Sequence, residues 1–280
     1  MDPIKTKKTL PNTINLTPET ESIILNPILK WAGGKRWLVP ILKKHLDRFS
    51  NYRLVEPFCG GLAISLGLNP KEALLNDINP LLINFYKWVK KGLIIELNMV
   101  NDEFYYYECR DSLNELISSK AIKSQAIAEL FYYLNKTGYN GLCRFNSNGL
   151  YNVPYGRYKT INYHKDLTVY KDIFSNFKFT NTDFSLLKIK PGDIIYADPP
   201  YDVEFTKYAK EDFTYADQER LINWLNNFNN PIIISNQATK RIIKLYEKNN
   251  YKLDYLAAPR MISCNGNRDK ACEILAFKNF

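Results

Sequence analysis

Strand and helix signals alternate in two separated stretches of this chain, and the interruption between them is what most restricts its fold. A helix at about 37–48 precedes a strand at 53–56; a second helix starts at 64–68 and a second strand occupies 73–77. Alternation resumes beyond residue 166. Strands are expected at 177–180, 193–197, 231–235, 252–257 and 273–277, with helices at 216–227 and 239–248. Short apolar runs separated by helix-length segments imply βαβ units and an α/β fold, a doubly wound Rossmann-like sheet. From 80 to 165 the pattern differs: helical at 81–90 and 122–134, then rich in Tyr, Asn, Gly and Arg from 138 to 159. The expected organisation is a polar arm at 1–25, a core built from 26–79 and 166–280, and a mainly helical insert at 80–165 that carries a β-hairpin.

The strand at 193–197 runs into Asp198-Pro199-Pro200-Tyr201. Proline fixes its own φ, donates no N–H, and pushes the preceding residue out of the helical region. The strand therefore stops in a stiff corner that offers a carboxylate, the Asp198 and Pro199 carbonyls and a flat ring. A planar base with an exocyclic amine fits such a corner, stacked on Tyr201 with its –NH₂ held by Asp198 and a carbonyl. A bulge or a purely structural turn is the other reading of the same residues.

Two segments suit a nucleotide-like cofactor. Glu56-Pro57-Phe58-Cys59-Gly60-Gly61 links the first strand of the core to a helix, where glycines let the backbone approach a ligand. Asp77 closes the second strand, the place from which an acid reaches ribose hydroxyls. The neighbouring Asn76 and Ile78-Asn79-Pro80 equally suit an Asx turn and helix cap. The spacing does not separate a nicotinamide cofactor from S-adenosylmethionine, although 56–61 lacks the full Gly-x-Gly-x-x-Gly pattern of an oxidoreductase.

The formal net charge is +9 over 280 residues, which suits an anionic partner such as nucleic acid. Ser147-Asn148-Gly149 reads as the turn of a hairpin, an element that can enter a major groove. Within it Arg144 can present two donors to guanine, Leu142 and Pro154 can meet a thymine methyl, and Arg157 and Lys159 suit phosphates. Tyr139 can wedge into the space left by a flipped base. Loop residues packing their own hairpin are the alternative. Five cysteines without a Cys-x-x-Cys, and two distant histidines, argue against a disulfide framework and a zinc site. No apolar run approaches the ~20 residues of a membrane span, and Lys5, Lys7, Lys8 and Pro11 interrupt any secretory leader, so a cytoplasmic monomer is the default expectation.

Four segments occur in one order: Lys30-Trp31-Ala32-Gly33-Gly34-Lys35, Glu56–Gly61, Asn76-Asp77-Ile78-Asn79 and Asp198-Pro199-Pro200-Tyr201. In that order the chain resembles the Dam family of DNA adenine-N6 methyltransferases, from about residue 26 to 277. The resemblance implies a flipped adenine methylated on N6 at the Asp198, Pro199 and Tyr201 corner. It implies S-adenosylmethionine held by Trp31, Lys35, Glu56, Phe58, Gly60, Asp77, Asp183 and Asp198. It further implies double-stranded DNA, with GATC as target, read by Lys30, Tyr139, Asn140, Leu142, Arg144, Pro154, Arg157 and Tyr158. A cognate restriction endonuclease is the partner it leaves open. Other adenine-containing sites, an RNA or protein amide nitrogen, and a non-catalytic DNA-binding relative stand as alternatives. One departure is Leu62, where relatives carry glycine; leucine does not take glycine-only backbone angles, so the loop is expected to be slightly rearranged.

Overall fold

A computed structural model of the chain describes residues 26–201, 213–258 and 271–280. The expected arm at 1–25, the loop after the corner at 202–208, the polar loop at 265–270 with Arg268 and Lys270, and Cys264 lie outside the described residues.

The first elements are α1 (Val39–Leu46), β1 (Arg53–Glu56), α2 (Ala63–Leu68), β2 (Glu72–Asn76) and α3 (Pro80–Lys90). Then come α4 (Glu103–Ser118), α5 (Gln125–Thr137) and a single turn, α6 (Lys171–Phe174). The chain finishes with β3 (Phe177–Thr180), β4 (Asp193–Ala197), α7 (Tyr215–Leu225), β5 (Ile232–Gln237), α8 (Lys240–Lys248), β6 (Lys252–Ala258) and β7 (Ala271–Lys278). The strands form one sheet in the order β3-β2-β1-β4-β5-β7-β6. Only β7 runs antiparallel to its neighbours, β5 and β6. The order reverses between β1 and β4, and the crevice beyond the strand ends at such a point is where ligands bind in open α/β sheets.

Strand alternation divides the core between the two faces of the sheet. Leu54, Ala73, Leu75, Ile194 and Tyr196 face α1 to α6, while Val55, Leu74, Ile195, Ala197 and Ile234 face α7 and α8. The 80–165 stretch is continuous with the first of these cores. Tyr86 of α3 is fully buried, stacks on Phe179 of β3 at 5.5 Å and donates to the Gly60 carbonyl at 2.8 Å. Helix α4 was not signalled by the sequence pattern; Asp102 caps it by accepting from Tyr105 N, and Tyr106, Cys109 and Leu113 form its buried stripe. The expected hairpin is shorter than a pair of strands. Isolated antiparallel bridges join Gly138 to Tyr155 and Phe145 to Tyr151, and Asn146 Oδ1 accepts from the amides of Asn148 and Leu150 to close the turn. Among the described residues no helix is long and apolar enough to cross a membrane.

Candidate active site

The carboxyl ends of β1, β2 and β4 surround a cleft of about 470 Å³. Its near wall is the Glu56–Gly61 loop. Asp77 grips that loop from β2: one carboxylate oxygen accepts from Gly60 N at 3.1 Å and the other from Asn79 N at 2.9 Å. The second bond is the Asx turn anticipated for this segment, and Asn79 in turn caps α3 at Leu81 N and Leu82 N. Asp77 therefore both shapes the loop and lines the cleft. Burial raises its pKa and the two backbone bonds oppose that rise. Asn76 is a fully engaged knot beneath: its amide donates to the Pro57 and Thr182 carbonyls, and its oxygen accepts from Thr180 and Thr182.

Trp31 explains the two glycines. A Cβ on Gly60 or Gly61 would stand 2.7 Å from the Trp31 side chain, so the indole lies directly against a bare backbone. Leu62 stands at the N-cap of α2. It takes φ 60°, ψ 26° in the left-handed basin, which an L-residue enters at a cost, and its fully buried side chain compensates. Glu56 at the end of β1 is buried, and its Oε1 has no hydrogen-bond partner among the described residues. Burial pushes its pKa up to about 8, with Asp198 adding to the rise.

The opposite wall is the proline corner. Lys35 is 4% exposed; its amine donates to the Gly33 carbonyl at 2.9 Å, stands 3.3 Å from Asp198 Oδ2, and lies 4.7 Å from the Tyr201 ring centre. Ser235 of β5 donates to Asp198 Oδ1 at 2.8 Å and shares a 2.8 Å hydrogen bond with the Tyr196 hydroxyl. Burial raises the Asp198 pKa, opposed chiefly by Lys35. The corner itself is held by Gln218 of α7, whose amide donates to the Pro200 carbonyl at 2.9 Å. Tyr201 donates its hydroxyl to Glu273 of β7 at 2.7 Å.

Trp31, Lys35, Glu56, Phe58, Gly60, Asp77 and Asp198 thus meet at one cleft, together with Pro199 and Tyr201. Asp183 stands apart from it. Its carboxylate accepts from Ser185 N and Oγ and pairs with Arg220 at 2.8 Å, and the Arg220 guanidinium holds its pKa down to about 2. It is linked to the cleft through the neighbouring Phe184, which packs 5.5 Å from Phe58.

The DNA-reading candidates form a second group. Lys30 Nζ donates to the Lys136 carbonyl at 2.7 Å and lies 3.7 Å over the Tyr158 ring, and burial lowers its pKa. Tyr158 donates to the Gly138 carbonyl. Tyr139 is half exposed and bonded through its backbone to Pro154, and Asn140 takes φ 50°. Arg144 rests both arms of its fork on Asn152, at 2.8 and 3.0 Å. Arg157 pairs with Glu103 at 3.2 Å, and Pro154 and Lys159 are exposed beside it, with Leu142 half-buried. Contact between Lys30 and Gly141, where a Cβ would come within 2.4 Å of the lysine Cβ, joins this group to the segment leading to Trp31.

Sequence reasoning missed Glu273, Gln218 and Asn135. Glu273 carried a signal, an acid at the head of the apolar run Ile274-Leu275-Ala276-Phe277. Gln218 and Asn135 carried none, because each serves backbone groups remote in sequence.

Residues 31–260 match the family described as D12 class N6 adenine-specific DNA methyltransferase. The chain is 35% identical over 267 residues to the Retron Ec67 DNA adenine methylase of Escherichia coli, covering 90% of this chain and 91% of the relative. It is 34% identical over 280 residues to the type II methyltransferase M.MjaIII of Methanocaldococcus jannaschii, covering 88% and 96%. It is 33% identical over 268 residues to the DNA adenine methylase of Escherichia coli K12, covering 89% and 93%.

Proposed function

The chain belongs to the D12 class of N6 adenine-specific DNA methyltransferases, and we propose that it methylates the adenine of GATC after flipping that base into the Asp198–Tyr201 corner. S-adenosylmethionine is the cofactor of this class, and it supplies a methyl group on a cationic sulfur. The cleft fits it: Glu56, Asp77 and Asp198 set three carboxyl groups against the single amine of Lys35, and buried Glu56 Oε1 awaits a donor or cation. Trp31, Lys35, Glu56, Phe58, Gly60, Asp77 and Asp198 are the residues that would hold it. Asp183 would join through the Phe184 edge.

The rest is the work of this chain. Extruding the base costs a few kcal/mol, least where the vacated space is filled, which is the role given to Tyr139 and Asn140. Tyr201 stacks on the extruded ring. The lone pair of N6 is delocalised into that ring, so the amine is a poor nucleophile until its hydrogens are drawn away. Asp198 Oδ and the Pro199 carbonyl accept those two hydrogens and favour a pyramidal nitrogen; the Pro200 carbonyl is already taken by Gln218. Lys35 and Ser235 fix the carboxylate plane, and alignment of the nitrogen with the methyl removes much of the entropic barrier. Lys30 and the 80–165 stretch read the site: Lys30 the first guanine, Leu142, Arg144 and Pro154 the later bases, Arg157 and Tyr158 the backbone.

One observation carries this reading: Lys35 holds Asp198 and the Tyr201 ring together beside the unpartnered Oε1 of Glu56. Asp198→Ala is expected to abolish methyl transfer while DNA still binds in a gel-shift titration; substantial turnover would end the mechanism. DNA from cells expressing the protein should resist a GATC endonuclease that methylation blocks, and complete digestion would remove GATC as the target.

A further inference from the structure

Glu273 is an acid at the buried head of an apolar strand, with the charge of Lys35 and the Tyr201 hydroxyl acting on it. It is 8% exposed, and the next residues of β7, Ile274, Leu275 and Ala276, are buried and apolar. Its Oε1 accepts the Tyr201 hydroxyl at 2.7 Å, and its Oε2 is buried with no partner among the described residues. A buried carboxylate with so little compensation costs stability. Tyr201 shows what that cost supports. At its backbone end the Pro200 carbonyl is tied to Gln218; along its face lies Lys35, 4.7 Å from the ring centre; at its far end stands Glu273. The hydroxyl oxygen lies on the axis about which the ring turns, so the bond to Glu273 fixes where the ring sits, while Lys35 against its face limits how it turns.

We infer that Glu273 is a positioning residue of the methyl-transfer site, holding in place through the Tyr201 hydroxyl the ring on which the target base stacks. This rests on the stacking role proposed for Tyr201. Glu273 acts through that ring and has no contact with the reacting atoms. Its effect falls on the alignment of the bound base, and therefore on kcat more than on donor binding.

The test uses the full chain, a duplex that the wild-type enzyme methylates, and five variants: Glu273→Ala, Glu273→Gln, Tyr201→Phe, Tyr201→Ala and the double variant of Glu273→Ala with Tyr201→Phe. Glu273→Ala is expected to lower kcat about tenfold, the worth of one charge-assisted hydrogen bond, with the donor Kd unchanged. Glu273→Gln keeps an accepting oxygen and recovers most of that loss. Tyr201→Phe keeps the ring without the hydroxyl and loses as much as Glu273→Ala. The double variant is no worse than either single one, as expected for two residues acting as a unit. Wild-type kcat in Tyr201→Phe, or losses that multiply in the double variant, overturn the inference. If Glu273→Ala fails to bind the donor because it is misfolded, Tyr201→Phe decides alone. Tyr201→Ala separates the two readings: full turnover there sinks base stacking itself, whereas an inactive Tyr201→Ala beside an intact Tyr201→Phe sinks only the clamp.

Discussion

Burial strips water from Glu56 without giving its Oε1 a partner, which is why the proton is held up to about pH 8. The consequence for stability has a definite sign. A folded-state pKa raised above the ordinary carboxyl value of 4.5 means that the native state binds more protons than the unfolded chain between those limits. The associated stability is therefore fully present below pH 4.5 and is lost as the pH rises through about 8. Each pH interval of one between those limits is worth roughly 1.4 kcal/mol, so the loss amounts to a few kcal/mol. Glu56→Gln, nearly isosteric and never charged, is expected to match the wild type in urea unfolding near pH 5 and to exceed it near pH 9, both without donor. A gap that stays constant with pH would show that the carboxyl ionises freely. Near pH 9 the same variant should also bind the donor more weakly, because there the wild-type carboxylate carries a charge that the amide lacks. Asp198 and Glu56 were picked out in the sequence by type and position, and both line the cleft; the raised pKa of Glu56 depends on burial that the sequence does not show. The left-handed backbone and full burial of Leu62 carried no signal in the sequence, because a leucine gives no sign of the pocket that takes it.

At the scale of elements, the contact between α5 and the segment at 28–31 is centred on one side chain. Asn135 is 1% exposed; its oxygen accepts from Lys30 N at 2.9 Å and its amide donates to Lys30 O at 2.8 Å, so it stands where a neighbouring strand would. Two further bonds cross the same junction, from Lys30 Nζ to the Lys136 carbonyl and from Lys136 Nζ to the Ile28 carbonyl. Asn135→Ala leaves two backbone groups of Lys30 unpaired, and each such group costs about 1–3 kcal/mol. A fall in denaturation midpoint is expected, with weaker DNA binding and unchanged donor binding, since Lys30 is displaced while the cleft is not. A folded variant with wild-type DNA affinity would detach Lys30 from recognition. No reading of single residues finds this contact, because the bonds span 105 positions and asparagine before lysine carries no local signal. The strands were legible because their alternation is set by two buried faces. Helix α4 was not: Tyr106, Cys109 and Leu113 keep helical spacing, but Phe104, Tyr105 and Tyr107 surround them with further aromatics and blur the period.

The whole molecule combines a doubly wound sheet with its cleft at the strand ends and a segment at 138–159 that carries no acid. Alternating strand and helix signals foreshadowed the sheet. The position of β7 between β5 and β6 was not foreshadowed, since residue patterns specify which faces are buried and not which strands are neighbours. The net charge of +9 belongs to this scale, and its use can be measured. Arg157 is exposed and stands 3.2 Å from Glu103, but a surface pair of this kind is worth only about 0–1 kcal/mol and yields readily to a phosphate. Lys159 is exposed beside it. Each neutralised phosphate releases counterions, so the logarithm of affinity falls with the logarithm of salt concentration by about 0.9 per contact. Arg157→Ala and Lys159→Ala are each expected to reduce that slope by about one and to weaken matched and mismatched duplexes alike. Arg144→Ala should behave differently: its fork is suited to a base edge, so its loss costs about 1–3 kcal/mol on the matched duplex and little on others. Titrations at several salt concentrations on both duplexes separate the two roles. An unchanged slope for Arg157→Ala would remove it from the phosphate contacts, and equal losses on both duplexes for Arg144→Ala would make that residue one of them.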